Sequence, residues 1–152
     1  MPTAGSPKRQ MDRGRAFLAD HPLEAITIDG VPGVLVSVRL TSYRSLPLSC
    51  LEKISLWING IAINSADIEL ILGGCAYSLD ELPSLTHLWW FILDMGYLRV
   101  RLSEPLGQRN AQIRGELVTV EPYVSNGRFH FVNTAERTLS VVAGRKEGIL
   151  HV

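Results

Sequence analysis

Residues 53–63 read Lys53-Ile54-Ser55-Leu56-Trp57-Ile58-Asn59-Gly60-Ile61-Ala62-Ile63. Ile54, Leu56 and Ile58 recur at a spacing of two against Lys53, Ser55 and Trp57, the pattern of a strand with one face in a core. Asn59-Gly60 readily adopts the positive φ values of a type I′ turn, and Ile61 and Ile63 return on the partner strand. The stretch predicts a β-hairpin.

The same period extends in both directions. Upstream, Val34, Val36, Val38 and Leu40 alternate with Leu35, Ser37 and Arg39. Downstream, Ile68–Leu72 is a short apolar run closed by Gly73-Gly74, and Cys75–Ser78 comes back. Residues 88–93 and 98–102 flank Asp94-Met95-Gly96, read as a third tight turn. Residues 113–120 alternate again, Asn126-Gly127 marks a turn before Phe129 and Phe131, and residues 138–142 form the last predicted strand. Only residues 79–82 have a turn of helical character, and Pro83 stops it. About eight to ten short strands separated by turns predict an all-β fold. The expected architecture is an immunoglobulin-like β-sandwich, mostly antiparallel, with essentially no helix.

A chain of 152 residues with 46% hydrophobic and 20% charged residues has the length and composition for one core plus tails. Fifteen basic residues against fifteen acidic ones leave no global field to recruit nucleic acid or anionic membrane. Residues 1–15 are polar, with Lys8, Arg9, Arg13 and Arg15 against Asp12, and contain no apolar secretory run. The expected organisation is a disordered basic arm over residues 1–22, a sandwich domain over 23–143 and a tail over 144–152. No apolar stretch approaches the ~20 residues of a membrane span. Cys50 and Cys75 have neither metal spacing nor a CxxC pairing, and are read as reduced thiols of a cytoplasmic protein.

Catalytic patterns are missing. There is no GxSxG and no glycine loop leading into a helix. His21, His87, His130 and His151 are scattered without metal spacing. Asp80 and Glu81 are adjacent, so on a strand they face apart, and in a turn they cap or solvate. No catalytic, cofactor-binding or metal-ligating residues are predicted for this chain.

Two segments carry unusual composition. The first, YRSLPLSC at residues 43–50, joins two strong strands and mixes Tyr43 and Arg44 with leucines around Pro47. Two readings stand: a crossing loop whose leucines cap the core, or a recognition loop with Tyr and Arg anchors. The second, YSLDELPSL at residues 77–85, leads to Trp89-Trp90. On a strand Leu88, Trp90 and Ile92 face one way, and His87, Trp89, Phe91 and Leu93 the other. One of these faces lies outside the core, so either a partner or the chain's own termini must cover an apolar surface.

Those strings, together with WING at residues 57–60 and LRV at 98–100, resemble the β (small) subunit of bacterial C-glycoside deglycosidases. The resemblance runs in order over roughly residues 24–142, outside the arm and the tail from Gly144. It implies a β-sandwich bound to a larger TIM-barrel α subunit that holds a divalent metal, manganese or magnesium. The complex would cleave the carbon–carbon bond between an aromatic aglycone and a sugar already oxidised to its 3-keto form. The ketone acidifies the neighbouring proton, a base on the large subunit removes it, and elimination releases aglycone and a 1,5-anhydro-enulose. Substrates of that family are C-glycosides such as flavone and isoflavone C-glucosides or carminic acid derivatives.

On this basis Tyr43, Arg44, Leu46, Pro47 and Leu48 are expected at the catalytic subunit or the edge of its pocket, with Tyr77, Leu82, Pro83, Trp89 and Phe91 behind them. The runner-up is a free-standing carbohydrate-binding sandwich, with Trp57, Trp89 or Tyr97 stacking on sugar rings. A scaffold or interaction module without a metabolic link is the third reading.

Overall fold

The computed structural model describes residues 8–9, 16–42, 44–121 and 130–144. Twelve strands follow one another: β1 (Lys8–Arg9), β2 (Leu23–Ile28), β3 (Val31–Arg39), β4 (Leu46–Pro47), β5 (Leu51–Ile58), β6 (Ile61–Ala62), β7 (Ile68–Leu72), β8 (Cys75–Ser78), β9 (Trp89–Trp90), β10 (Met95–Arg101), β11 (Asn110–Val120) and β12 (His130–Ala143). Among the described residues the only helical pieces are three 3-10 turns, Leu48–Cys50, Ser65–Asp67 and Leu79–Ser84. The all-β expectation holds.

Ten strands form one hydrogen-bonded sheet in the order β6-β5-β11-β12-β2-β3-β10-β7-β8, with β1 pairing β12. The sheet curls on itself, where the sequence reading expected a two-sheet sandwich. The reason is β12. Along residues 130–140 it pairs antiparallel with β11, and its last residues, Val141 to Ala143, pair parallel with β2. One long twisted strand thereby joins both halves. Ile54, Leu56, Ile58, Ile113 and Leu117 from one half meet Val34, Val36, Val38, Leu70 and Leu98 from the other in a single core.

Period two governs what is buried. In β11, Ala111, Ile113, Gly115 and Leu117 point inward between exposed Gln112 and Arg114. In β5, Ile54, Leu56 and Ile58 are inward as read from the sequence. Each fully buried leucine or isoleucine contributes about 1.5–3 kcal/mol of transfer free energy. β3 is buried on both faces: Leu35 joins Ile26, Ile28 and the flank of Tyr97 in a satellite cluster outside the main core.

Asn59 (φ 49) and Gly60 (φ 80) make the expected hairpin turn, and Gly73 and Gly74 (φ 56 and 80) close β7–β8. The third expected turn does not exist. Gly96 lies inside β10, which pairs with β3 and β7, while Trp89 and Trp90 pair elsewhere. Close packing accounts for this glycine: a Cβ there would come within 2.9 Å of Leu72 and 3.3 Å of Trp90. The expected turn at Asn126-Gly127 lies outside the described residues.

The folded body begins before Leu23, inside the segment assigned to a disordered arm. Phe17 and Leu18 are fully buried. Arg39 donates its backbone N–H to the Phe17 carbonyl at 2.8 Å, Ala19 donates to Ser37 at 3.0 Å, and the Arg137 side chain donates to the Leu18 carbonyl at 2.8 Å. The segment ends as a short extra strand against β3. No helix among the described residues is long and apolar enough to cross a membrane.

Candidate functional site: an apolar ridge

The two unusual strings meet. In β4 Leu46 lies opposite Trp90 of β9, and Pro47 opposite Trp89. The Leu48 N–H donates to the Leu88 carbonyl at 2.8 Å, and the Ser49 N–H to the Leu85 carbonyl at 3.2 Å. Ser45 Oγ accepts from the Ile92 N–H at 2.8 Å, and the Trp90 indole N–H donates to the Asp94 carbonyl, also at 2.8 Å. These bonds fix residues 88–94 as a rigid projection with little regular secondary structure of its own.

Alternation then decides what the projection displays. Trp90 is fully buried and Leu88 and Ile92 are half-buried, whereas Trp89 is 48%, Phe91 57% and Leu93 85% exposed. The chain's own termini do not cover this face. Three neighbouring large apolar side chains at the surface form a ridge of the kind that marks an interaction site. Beside it lies a cleft of about 210 Å³, bordered by Cys75, Tyr77, Trp89, Phe91 and Asp94.

The 77–85 string braces the ridge. Glu81 Oε2 accepts from the Ser78 backbone N–H at 2.9 Å and from its hydroxyl at 3.1 Å, which caps the Leu79–Ser84 turn. Glu81 is thus a capping carboxylate, and Asp80 is exposed. Burial raises the Tyr77 phenol above its ordinary range, and the Cys75 thiol and the Glu81 carboxylate add to the shift. Burial also pushes the half-buried Cys50 thiol up, against a smaller lowering by a hydrogen bond with Ser49.

The residues singled out from sequence therefore separate into groups. Arg44, Pro83, Trp89 and Phe91 are exposed, and Pro47 and Tyr77 half-buried. Leu46, Leu48 and Leu82, expected at a partner, are at most 2% exposed and belong to this chain's own core. Their strand pairing turns them inward, so they support the ridge from beneath. Tyr43 lies outside the described residues. Leu93 and Ser45 were not singled out, although the alternation of residues 87–93 already put Leu93 on the outer face.

The aromatic residues of the sugar-binding reading are mostly engaged. The Arg114 guanidinium sits 4.5 Å from the centre of the Trp57 ring, and Tyr97 packs on the satellite cluster. Trp89 alone of the three keeps a large exposed area. Among the described residues no three of His, Cys, Asp and Glu gather as a ligand set. His130 instead pairs with Glu52 at 2.7 Å. The residues present do not fit a metal centre.

A family model described as the C-glycoside deglycosidase beta subunit matches residues 15–123. A C-glycoside deglycosidase beta subunit from Arthrobacter globiformis is 30% identical over 130 residues, covering 82% of this chain and 98% of that protein. Another from Microbacterium trichothecenolyticum is 34% identical, over 54% of this chain and 63% of its own. A 3'-dehydrocarminate deglycosidase beta subunit from a Microbacterium species is 32% identical, over 45% of this chain and 52% of its own. The matched region contains both strings that build the ridge, and the chain belongs to the C-glycoside deglycosidase beta-subunit family.

Proposed function

We propose that this chain is the non-catalytic small subunit of a C-glycoside deglycosidase, docked through its ridge on a TIM-barrel catalytic subunit. The complex is cytoplasmic and cleaves the carbon–carbon bond of 3-keto C-glycosides by elimination. The divalent metal, manganese or magnesium, belongs to the barrel subunit. The contribution of this chain is to hold the barrel and to border its pocket with Arg44, Pro47, Trp89 and Phe91. A barrel of this type opens its active site at the end where its βα loops are accessible to a neighbour.

The observation that carries this reading is the junction of the 43–50 and 77–93 segments into one rigid, exposed apolar surface. Rigid aromatic side chains lose little conformational freedom on binding and are the usual anchors of an interface. Co-expression of the chain with the barrel subunit tests it. The expected result is a stoichiometric complex that contains manganese or magnesium and converts a 3-keto C-glucoside. Phe91→Asp is expected to prevent assembly while the chain stays folded. A lone chain that retains a sugar on a column would instead support the carbohydrate-binding reading.

A further inference from the structure

The curled sheet does not close. β6 is two residues long and pairs only with Trp57 and Ile58, so most of β5 stands at a sheet edge. Across from that edge is the Leu79–Ser84 turn, and between them runs a cleft of about 340 Å³. Its walls are Ile54 and Leu56 on one side, Leu79 and Asp80 on the other, with Ile63 and Ser65 at one end.

Hydrogen-bond alternation identifies which backbone groups face this seam. Ile58 and Ile61 flank the two-residue turn as a pair, and Leu56 accepts from the Ile63 N–H at 2.9 Å. Even-numbered residues here thus direct their backbone groups away from β11, and Lys53, Ser55 and Trp57 direct theirs toward it. Ile54 is the next even position. Its N–H and C=O point into the seam, and no partner for them is found among the described residues. An open strand edge with unpaired backbone groups is a template for another strand.

We propose that the seam takes an extended segment of the catalytic partner subunit as an added strand, paired with Ile54. This rests on the subunit reading above. The seam is recessed behind the Leu79–Ser84 turn, so a single free strand can enter it. The β5 edge of a second copy, backed by its own β11, cannot reach the floor. From Lys53 to Leu56 the open edge runs roughly 10–13 Å, room for about four residues. Two carboxylates border it, Glu52 on β5 and Asp80 on the turn, both exposed. Glu52 is already paired with His130, which leaves Asp80 to select a basic residue on the incoming strand.

Amide hydrogen exchange on the full chain, alone and in the complex co-purified with the catalytic subunit, tests the proposal. The Ile54 amide should exchange about tenfold slower or more in the complex, while the Lys53 and Ser55 amides are protected in both states. Ser65→Trp, which fills the seam from the side away from the β5 ladder, should weaken capture of the catalytic subunit at least about tenfold with β10 amides unchanged. A complex in which Ile54 still exchanges fast overturns strand addition and leaves the subunit reading intact. Absence of any complex removes both. Protection of Ile54 in the free chain that grows with concentration would mean a second copy occupies the edge, and would also overturn the proposal.

Discussion

The Trp90 indole N–H donates to the Asp94 carbonyl at 2.8 Å, from a side chain that is itself fully buried. One residue thus anchors the projection in the core and ties down its far end. Trp90→Phe keeps an aromatic ring and deletes the donor, and is expected to cost about 1–2 kcal/mol. Trp90→Ala opens a cavity and should cost about 3–5 kcal/mol. Chemical denaturation midpoints measure both. An unshifted midpoint for the phenylalanine variant would show that the bond does not hold the loop.

The neighbouring tryptophan should behave in the opposite way. Trp89 is half-exposed, opposite Pro47 at the surface. Trp89→Ala is expected to change stability by no more than about 0.5 kcal/mol. It should weaken binding to the catalytic subunit by about 2 kcal/mol, as for an interface anchor. Isothermal titration beside a denaturation curve separates the two effects. A stability loss matching that of Trp90→Ala, with unchanged affinity, would make Trp89 a structural residue.

Much of this arrangement was legible in the sequence, for identifiable reasons. β3, β5 and the β7–β8 hairpin announce themselves because a strict period of two was bounded by Asn59-Gly60 or Gly73-Gly74, and each dipeptide needs its positive φ. Phe17 to Ala19 did not, because three apolar residues after a polar stretch have no period to read. Their burial depends on β3 and β12, far away in sequence. The strings of the ridge stood out by composition, but their junction rests on Leu46 opposite Trp90, a pairing no local rule supplies. That pairing also turns Leu46 and Leu48 inward. From the sequence either face of the 43–50 segment was available to the partner.

Gly115 tests the early start of the folded body. A Cβ at this position would lie 2.9 Å from Leu18 and 3.1 Å from Phe17. Gly115→Ala is therefore expected to destabilise by about 1–3 kcal/mol through overpacking, although alanine suits a strand no worse than glycine. Deleting residues 1–19 should remove that penalty at the cost of a larger loss of its own. If Gly115→Ala melts like the parent chain, the 17–19 segment does not pack where it is described.

Alkaline pH supplies the last prediction, from two raised acids. Cys50 and Tyr77 both ionise to anions, and burial is the leading cause that lifts each above its ordinary value, 9.0 for the thiol and 10.0 for the phenol. An acid whose folded pKa lies above its unfolded one binds its proton more tightly in the native state. Its stabilisation is fully present below the unfolded pKa and disappears as pH rises through the folded one. The denaturation midpoint should thus stay level up to about pH 8 and fall beyond it, first through Cys50 and then through Tyr77. Tyr77→Phe should flatten the later part of the decline and leave the earlier part. The same ionisation governs reactivity, since the thiolate is the nucleophile. Exposed Cys75 should be alkylated before half-buried Cys50. A midpoint that stays level well above the phenol range would mean that neither group is buried as its surroundings indicate.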